Sequence, residues 1–69
     1  MTTDSLIGVF ARITVNIPAG KVGEALVEGE SFIKYPARSV SDEIELIKGD
    51  YVEIVEVRSG CLYVKKKRG

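Results

Sequence analysis

Val9-Phe10-Ala11-Arg12-Ile13-Thr14-Val15-Asn16-Ile17 places an apolar side chain at every odd position, with Arg12, Thr14 and Asn16 between them. Period two sustained over nine residues predicts a long strand with one face on a core and the other in water. Phe10 interrupts the polar face, either as an exposed aromatic or as a contact to a second side. Pro18, Ala19 and Gly20 end the run, because proline offers a ladder no donor and glycine admits turn conformations.

Working outward, Lys21 to Val27 predicts a second strand, with Gly23 inside it as a bulge or a point of close approach. Glu28-Gly29 reads as a tight hairpin turn. Ser31 to Arg38 alternates again, with Ile33, Tyr35 and Ala37 on one side and Phe32, Lys34 and Arg38 on the other. Pro36 within it argues for an edge or a bend. Ser39 to Lys48 is irregular, a short helical turn or an extended loop, with acids around Ile44, Leu46 and Ile47. After the turn signal Lys48-Gly49-Asp50, Tyr51 to Arg58 is a strand rich in β-branched residues. Its alternation slips: Val52 and Ile54 share one face, Val55 and Val57 the other, as a bulge or burial on both faces would require. Ser59-Gly60 turns the chain into a last strand, Cys61 to Lys66.

Five short strands and no convincing helix predict an all-β fold that closes on itself, since an open sheet of this size would leave unpaired edges. The long first strand, able to bend and pair on both sides, suits a five-stranded OB-type Greek-key barrel, with an SH3-like barrel as the alternative. Residues 6–66 form the domain, with residues 1–5 expected to be disordered and 67–69 a basic tail.

Composition narrows the chemistry. The 69 residues include no His and one Cys, so imidazole catalysis, an internal disulfide and a four-cysteine zinc site are excluded and no cofactor is expected. The longest uncharged stretch, Ile13 to Gly20, is eight residues, too short for a spanning helix. Net charge is zero, yet only six basic side chains precede Lys65 against ten acidic ones. Lys65, Lys66, Lys67 and Arg68 thus carry the excess, as a frayed, solvated terminus or as a contact for anionic lipid.

Phe32, Lys34 and Arg38, with Phe10 and Arg12 on expected neighbouring strands, form a candidate binding face for a partner or for single-stranded nucleic acid. Glu24, Glu28 and Glu30 oppose the nucleic-acid reading, because their charge repels phosphates within a Debye length. Tyr51 or Tyr63 either joins Phe10 and Phe32 in an exposed apolar contact patch or, the reading preferred for these two, closes a barrel end. Ser39, Ser41 and Ser59 read as loop serines, Asp42-Glu43 as a solvated acidic turn, and Cys61 as a small strand hydrophobe; a shielded pocket that could activate a Ser-Lys pair has little room here.

The ordered series Ile17-Pro18-Ala19-Gly20-Lys21-Val22-Gly23-Glu24-Ala25, Tyr35-Pro36-Ala37-Arg38-Ser39, Ile47-Lys48-Gly49-Asp50-Tyr51-Val52-Glu53-Ile54-Val55-Glu56-Val57 and Leu62-Tyr63-Val64 resembles the C-terminal soluble domain of NfeD-like membrane proteins. The resemblance spans Leu6 to Lys66. It implies an OB fold attached to a membrane-anchored segment, facing the cytoplasm. It also implies a non-enzymatic interaction module, with flotillin- or stomatin-type scaffold proteins as partners and a part in regulating membrane protease activity. Phe10, Phe32, Lys34 and Arg38 are the candidate partner-binding residues, and Lys65, Lys66, Lys67 and Arg68 the candidate contacts for lipid or another anion.

Overall fold

Alternation becomes ladder in the computed structural model, which describes residues 6–27 and 33–67. The strands are β1 (Phe10–Val15), β2 (Val22–Val27), β3 (Lys34–Ser39), β4 (Tyr51–Arg58) and β5 (Cys61–Lys66). They close into one barrel in the order β1-β2-β3-β5-β4. β1 pairs antiparallel with both β2 and β4, and the parallel pair, β3 with β5, seals the cylinder. This is the OB-type arrangement, in place of the SH3-like alternative. No α-helix occurs among the described residues.

The core is aliphatic and is graded by size. Ala11, Ala25 and Ala37 are fully buried beside Ile13, Ile17, Leu46, Val52, Ile54, Leu62 and Val64. Small residues opposite large ones let so narrow a barrel fill: Ala11 stands between Val27 and Val52, and Ala37 between Gly23 and Leu62. Val9, Tyr35 and Val57 pack around this centre.

Two bulges set which side chains reach it. The β1–β2 register shifts between Ile13 and Val15, inserting Thr14. Val15, expected in the core, is therefore 51% exposed, while Ile17 returns inside. The predicted strand from Val9 to Ile17 is regular only over Phe10–Val15. Beyond it, Ile17 exchanges both backbone hydrogen bonds with Leu46, at 2.7 and 2.9 Å. The second shift, between Ile54 and Glu56 against β5, inserts Val55 and turns Val57 back to the core. The slip in alternation of Tyr51 to Arg58 is this bulge.

Gly23 answers the expectation of close approach, since a Cβ there would meet three atoms of residues 15–17. The β4–β5 hairpin turns on Ser59 and Gly60, with φ of 50° and 78°; both central residues are left-handed, the type I′ geometry whose twist suits a two-residue loop. Pro36 sits one residue before β3 begins to pair with β5 at Ala37, where no β5 partner loses a donor.

Two further expectations are corrected and an open one is resolved. The third strand is Lys34–Ser39 rather than Ser31 to Arg38, and Ile33, expected on the core side, is 42% exposed. Of the two readings left open for Ser39 to Lys48, the loop is found: Ser39 closes β3, and residues 40–48 form a link of bends and turns with one bridge, at Leu46. Lys65 and Lys66 are not a frayed end: they pair with Glu53 and Val52 in β5, and the Lys67 amide donates to the Tyr51 carbonyl at 2.9 Å. Residues 1–5, the Glu28-Gly29 turn, Phe32, Arg68 and Gly69 lie outside the described residues.

Candidate functional site

The barrel's chemistry is on its outside, in rows set by strand register. Along one row Lys34 faces Leu26, Leu26 faces Arg12, and Arg12 faces Tyr51. Along a second, Phe10 faces Glu53 and Glu53 faces Lys65. A third runs from Val22 through Arg38 and Tyr63 to Glu56. β3 is flanked by β2 and β5, so Phe10 and Arg12 are not on its neighbouring strand, contrary to expectation. The candidate partner residues are thus divided: Lys34 and Arg38 share the outer face of β2–β3, and Phe10 lies on the face of β1, β4 and β5.

Arg38 and Arg58 approach Tyr63, 5.7 and 5.6 Å from its ring centroid. Each also has a carboxylate, Arg38 with Asp42 at 3.1 Å and Arg58 with Glu56 at 2.7 Å. The hydrogen bond to Glu56, and then that group's charge, hold the Arg58 guanidinium above its ordinary pKa. This cluster is charge-balanced. Tyr63 is half-buried, whereas Tyr51, expected to cap a barrel end, is 43% exposed on the strand surface.

The β2–β3 face presents Val22, 54% exposed, beside Arg38, and Leu26 beside Lys34. Glu24 and Pro36 stand between those pairs, and Glu24 accepts a hydrogen bond from Thr14 at 2.9 Å. Among the described residues this face carries no outward aromatic; Phe32, expected on it, lies outside them. Val15, Val22, Val40, Ile44 and Ile47 are all about half exposed, and sequence reading did not single them out as surface apolar residues. For Ile44 and Ile47 the available signal was the acids flanking them; for Val15 there was none, because alternation placed it inside.

Ser39 and Ser41 are occupied structurally, and Ser39, expected in a loop, is the last residue of β3. Buried Ser39 accepts the Ser41 amide on Oγ at 3.2 Å, and Ser41 Oγ accepts the Glu43 amide at 3.4 Å. Ser39→Ala should cost about 1 kcal/mol, the net worth of one such bond, read from the urea midpoint with an unchanged slope. Cys61 is half-buried at the start of β5. Among the described residues no three His, Cys, Asp or Glu side chains gather as a metal site requires.

No protein-family model matches the sequence, and no curated protein matches it significantly. Solved structures do. The soluble domain of the NfeD protein YuaF from Bacillus subtilis superposes with a TM-score of 0.83 at 26% identity, over 91% of this chain and 75% of that one. The C-terminal domain of stomatin operon partner protein 1510-C from Pyrococcus horikoshii gives 0.77 at 25% identity, over 94% and 92%. A third shares the fold at 19% identity, with a TM-score of 0.80 over 93% and 95%. It is the soluble domain of a Corynebacterium glutamicum membrane protein implicated in regulation of membrane protease activity. The structural neighbours of this chain are soluble domains of NfeD-like proteins, the family that its sequence resembles.

Proposed function

We propose that the chain is a non-enzymatic interaction module that works at the cytoplasmic side of a membrane, bound to a stomatin- or flotillin-type scaffold protein and taking part in regulation of membrane protease activity. The observation that carries this reading is the likeness, over 94% of the chain, to the C-terminal domain of a stomatin operon partner protein. The fold supports it, since the barrel interior is filled with aliphatic side chains and its outer faces are what remain for recognition. The outer face of β2–β3 is the partner surface: Val22 and Leu26 supply apolar area, and Lys34 and Arg38 supply charge at its two ends.

Calorimetry between this domain and a stomatin-type protein of the same organism tests the reading. Val22→Glu combined with Lys34→Glu replaces one apolar and one cationic contact on exposed strand positions, so the fold should persist. Affinity should fall at least tenfold, about 1.4 kcal/mol, as for loss of a central contact. Failure of the unaltered domain to bind stomatin- and flotillin-type proteins alike would overturn the proposal. Capture only of ribonucleoproteins, lost on nuclease treatment, would turn it toward nucleic acid.

A further inference from the structure

The outer face of β1, β4 and β5 differs from the rest of the barrel in charge and in aromatic content. Arg12 lies over the Tyr51 ring, 4.8 Å from its centroid, and donates to the Tyr51 hydroxyl at 2.7 Å. The Lys67 ammonium is 4.6 Å from the centroid of Phe10. Lys65, Lys66 and Lys67 line an open depression with Glu53. Lys66 is 3.9 Å from Asp50, and neither Lys65 nor Lys67 has an ion-pair partner among the described residues. Four cations therefore meet two carboxylates here, in a chain whose net charge is zero. Around Tyr63, by contrast, each arginine has its own carboxylate. The excess positive charge is gathered on one face, together with Phe10, 40% exposed, and Tyr51.

We infer that this face docks on an anionic membrane surface, with Arg12, Lys65, Lys66 and Lys67 among the lipid headgroups and the rings of Phe10 and Tyr51 at the headgroup boundary. The inference rests on the proposed function in one respect, that the domain works at a membrane. Three features favour a bilayer over other polyanions. Lysines keep their ammonium groups at the polar level while aromatic rings beside them enter the interface, a division that a surface of graded polarity rewards. The face is the outer side of three strands of a closed barrel, which suits a broad contact better than a single strand that needs a charged groove. Both rings already carry a cation over one face, which leaves less of each for a stacked base.

Each lysine near an anionic leaflet strengthens binding roughly fivefold, and the effect is screened beyond about 8 to 10 Å at physiological salt. Sedimentation of the 69-residue chain with protein-free vesicles tests the inference, comparing phosphatidylcholine alone with phosphatidylcholine mixed with phosphatidylglycerol. Binding is expected only to the mixed vesicles, and should vanish in high salt. Lys65→Gln with Lys67→Gln should weaken it roughly twenty-five-fold. Lys21→Gln with Lys48→Gln, an equal change of net charge at the β1–β2 turn and the link before β4, should leave it within about twofold of the original, because those lysines lie outside this face. Substitution is preferable to truncation at Val64, which would remove the ladder partners of Val52 and Glu53.

Equal binding to both kinds of vesicle, or equal weakening by both double variants, overturns the inference. So does tighter binding to a single-stranded oligonucleotide with the same dependence on Lys65 and Lys67. Protein-free vesicles keep this test apart from the proposed function: loss of vesicle binding with stomatin binding intact removes the membrane face alone, and the reverse removes the partner.

Discussion

Gly23→Ala should be the most damaging one-carbon change in this barrel, costing about 3 kcal/mol. A Cβ at this position would lie 2.5 Å from the Asn16 carbonyl oxygen, 2.6 Å from the Val15 carbonyl oxygen and 2.6 Å from Ile17 Cγ1. Two of those contacts are backbone, and the third is a fully buried side chain at the Ile17–Leu46 bridge, so none can swing aside. Overpacking of a tight site costs typically 1–3 kcal/mol, and immovable neighbours put this one at the upper end. A domain of this size has roughly 3–10 kcal/mol of total stability, so a large part would be lost. The melting temperature should fall by roughly 12–24 °C, at about 4–8 °C per kcal/mol for small domains. A fall of less than about 5 °C would show that the β1 bulge can relax away from β2. Ala25→Gly, at a fully buried neighbouring position, is the useful comparison: it removes a methyl group and adds none.

Leu46→Ala should cost about 2–5 kcal/mol, whereas Ile44→Ala and Ile47→Ala should each stay within about 0.5 kcal/mol. The three aliphatics lie within four residues of one another in the link between β3 and β4, yet Leu46 is fully buried while Ile44 and Ile47 are 48% and 52% exposed. Leu46 is also the residue through which the link pairs with Ile17. Truncating it leaves a cavity lined by side chains that the closed ladder holds in place, so collapse into the space is limited. Chemical denaturation of the three variants side by side checks the contrast. Equal losses for all three would mean that the link packs differently in solution.

Taken with the two proposed surfaces, these expectations separate stability from recognition. Gly23 and Leu46 hold the barrel closed, and neither presents a side chain to a partner. Val22 and Lys34 on one side, and Lys65 and Lys67 on another, are exposed positions whose substitution should change binding with little effect on melting. The two surfaces adjoin where Leu26 faces Arg12, so the paired substitutions are placed away from that seam, at Val22 and at Lys65 and Lys67.

Much of the fold was legible locally. Pro18-Ala19-Gly20, the Ser59-Gly60 turn and the β-branched run after Asp50 each act through neighbouring residues and became the turn or strand expected, while the alternation of Val9 to Ile17 became a strand over Phe10–Val15. The candidate site was legible only as a set of residues. Phe10 and the lysines from Lys65 were visible as an out-of-phase aromatic and a basic run, but nothing local says that Lys67 reaches the Phe10 ring or that β2 separates Phe10 from Arg38.

The sequence by itself determined that five strands occur and about where, the turns at Pro18-Ala19-Gly20 and Ser59-Gly60, and the absence of imidazole chemistry, because period-two patterning and residue type operate over a few residues. Only the tertiary structure decided that Val15 faces water, that Leu46 rather than Ile44 or Ile47 completes the core, and that the basic end of β5 meets Phe10 and Tyr51 on one face. Each of those outcomes depends on barrel closure. The inserted Thr14 resets the phase of β1 only against β2, the buried member of the link is the one that reaches Ile17, and the rows of surface residues exist only once strands distant in sequence share a register.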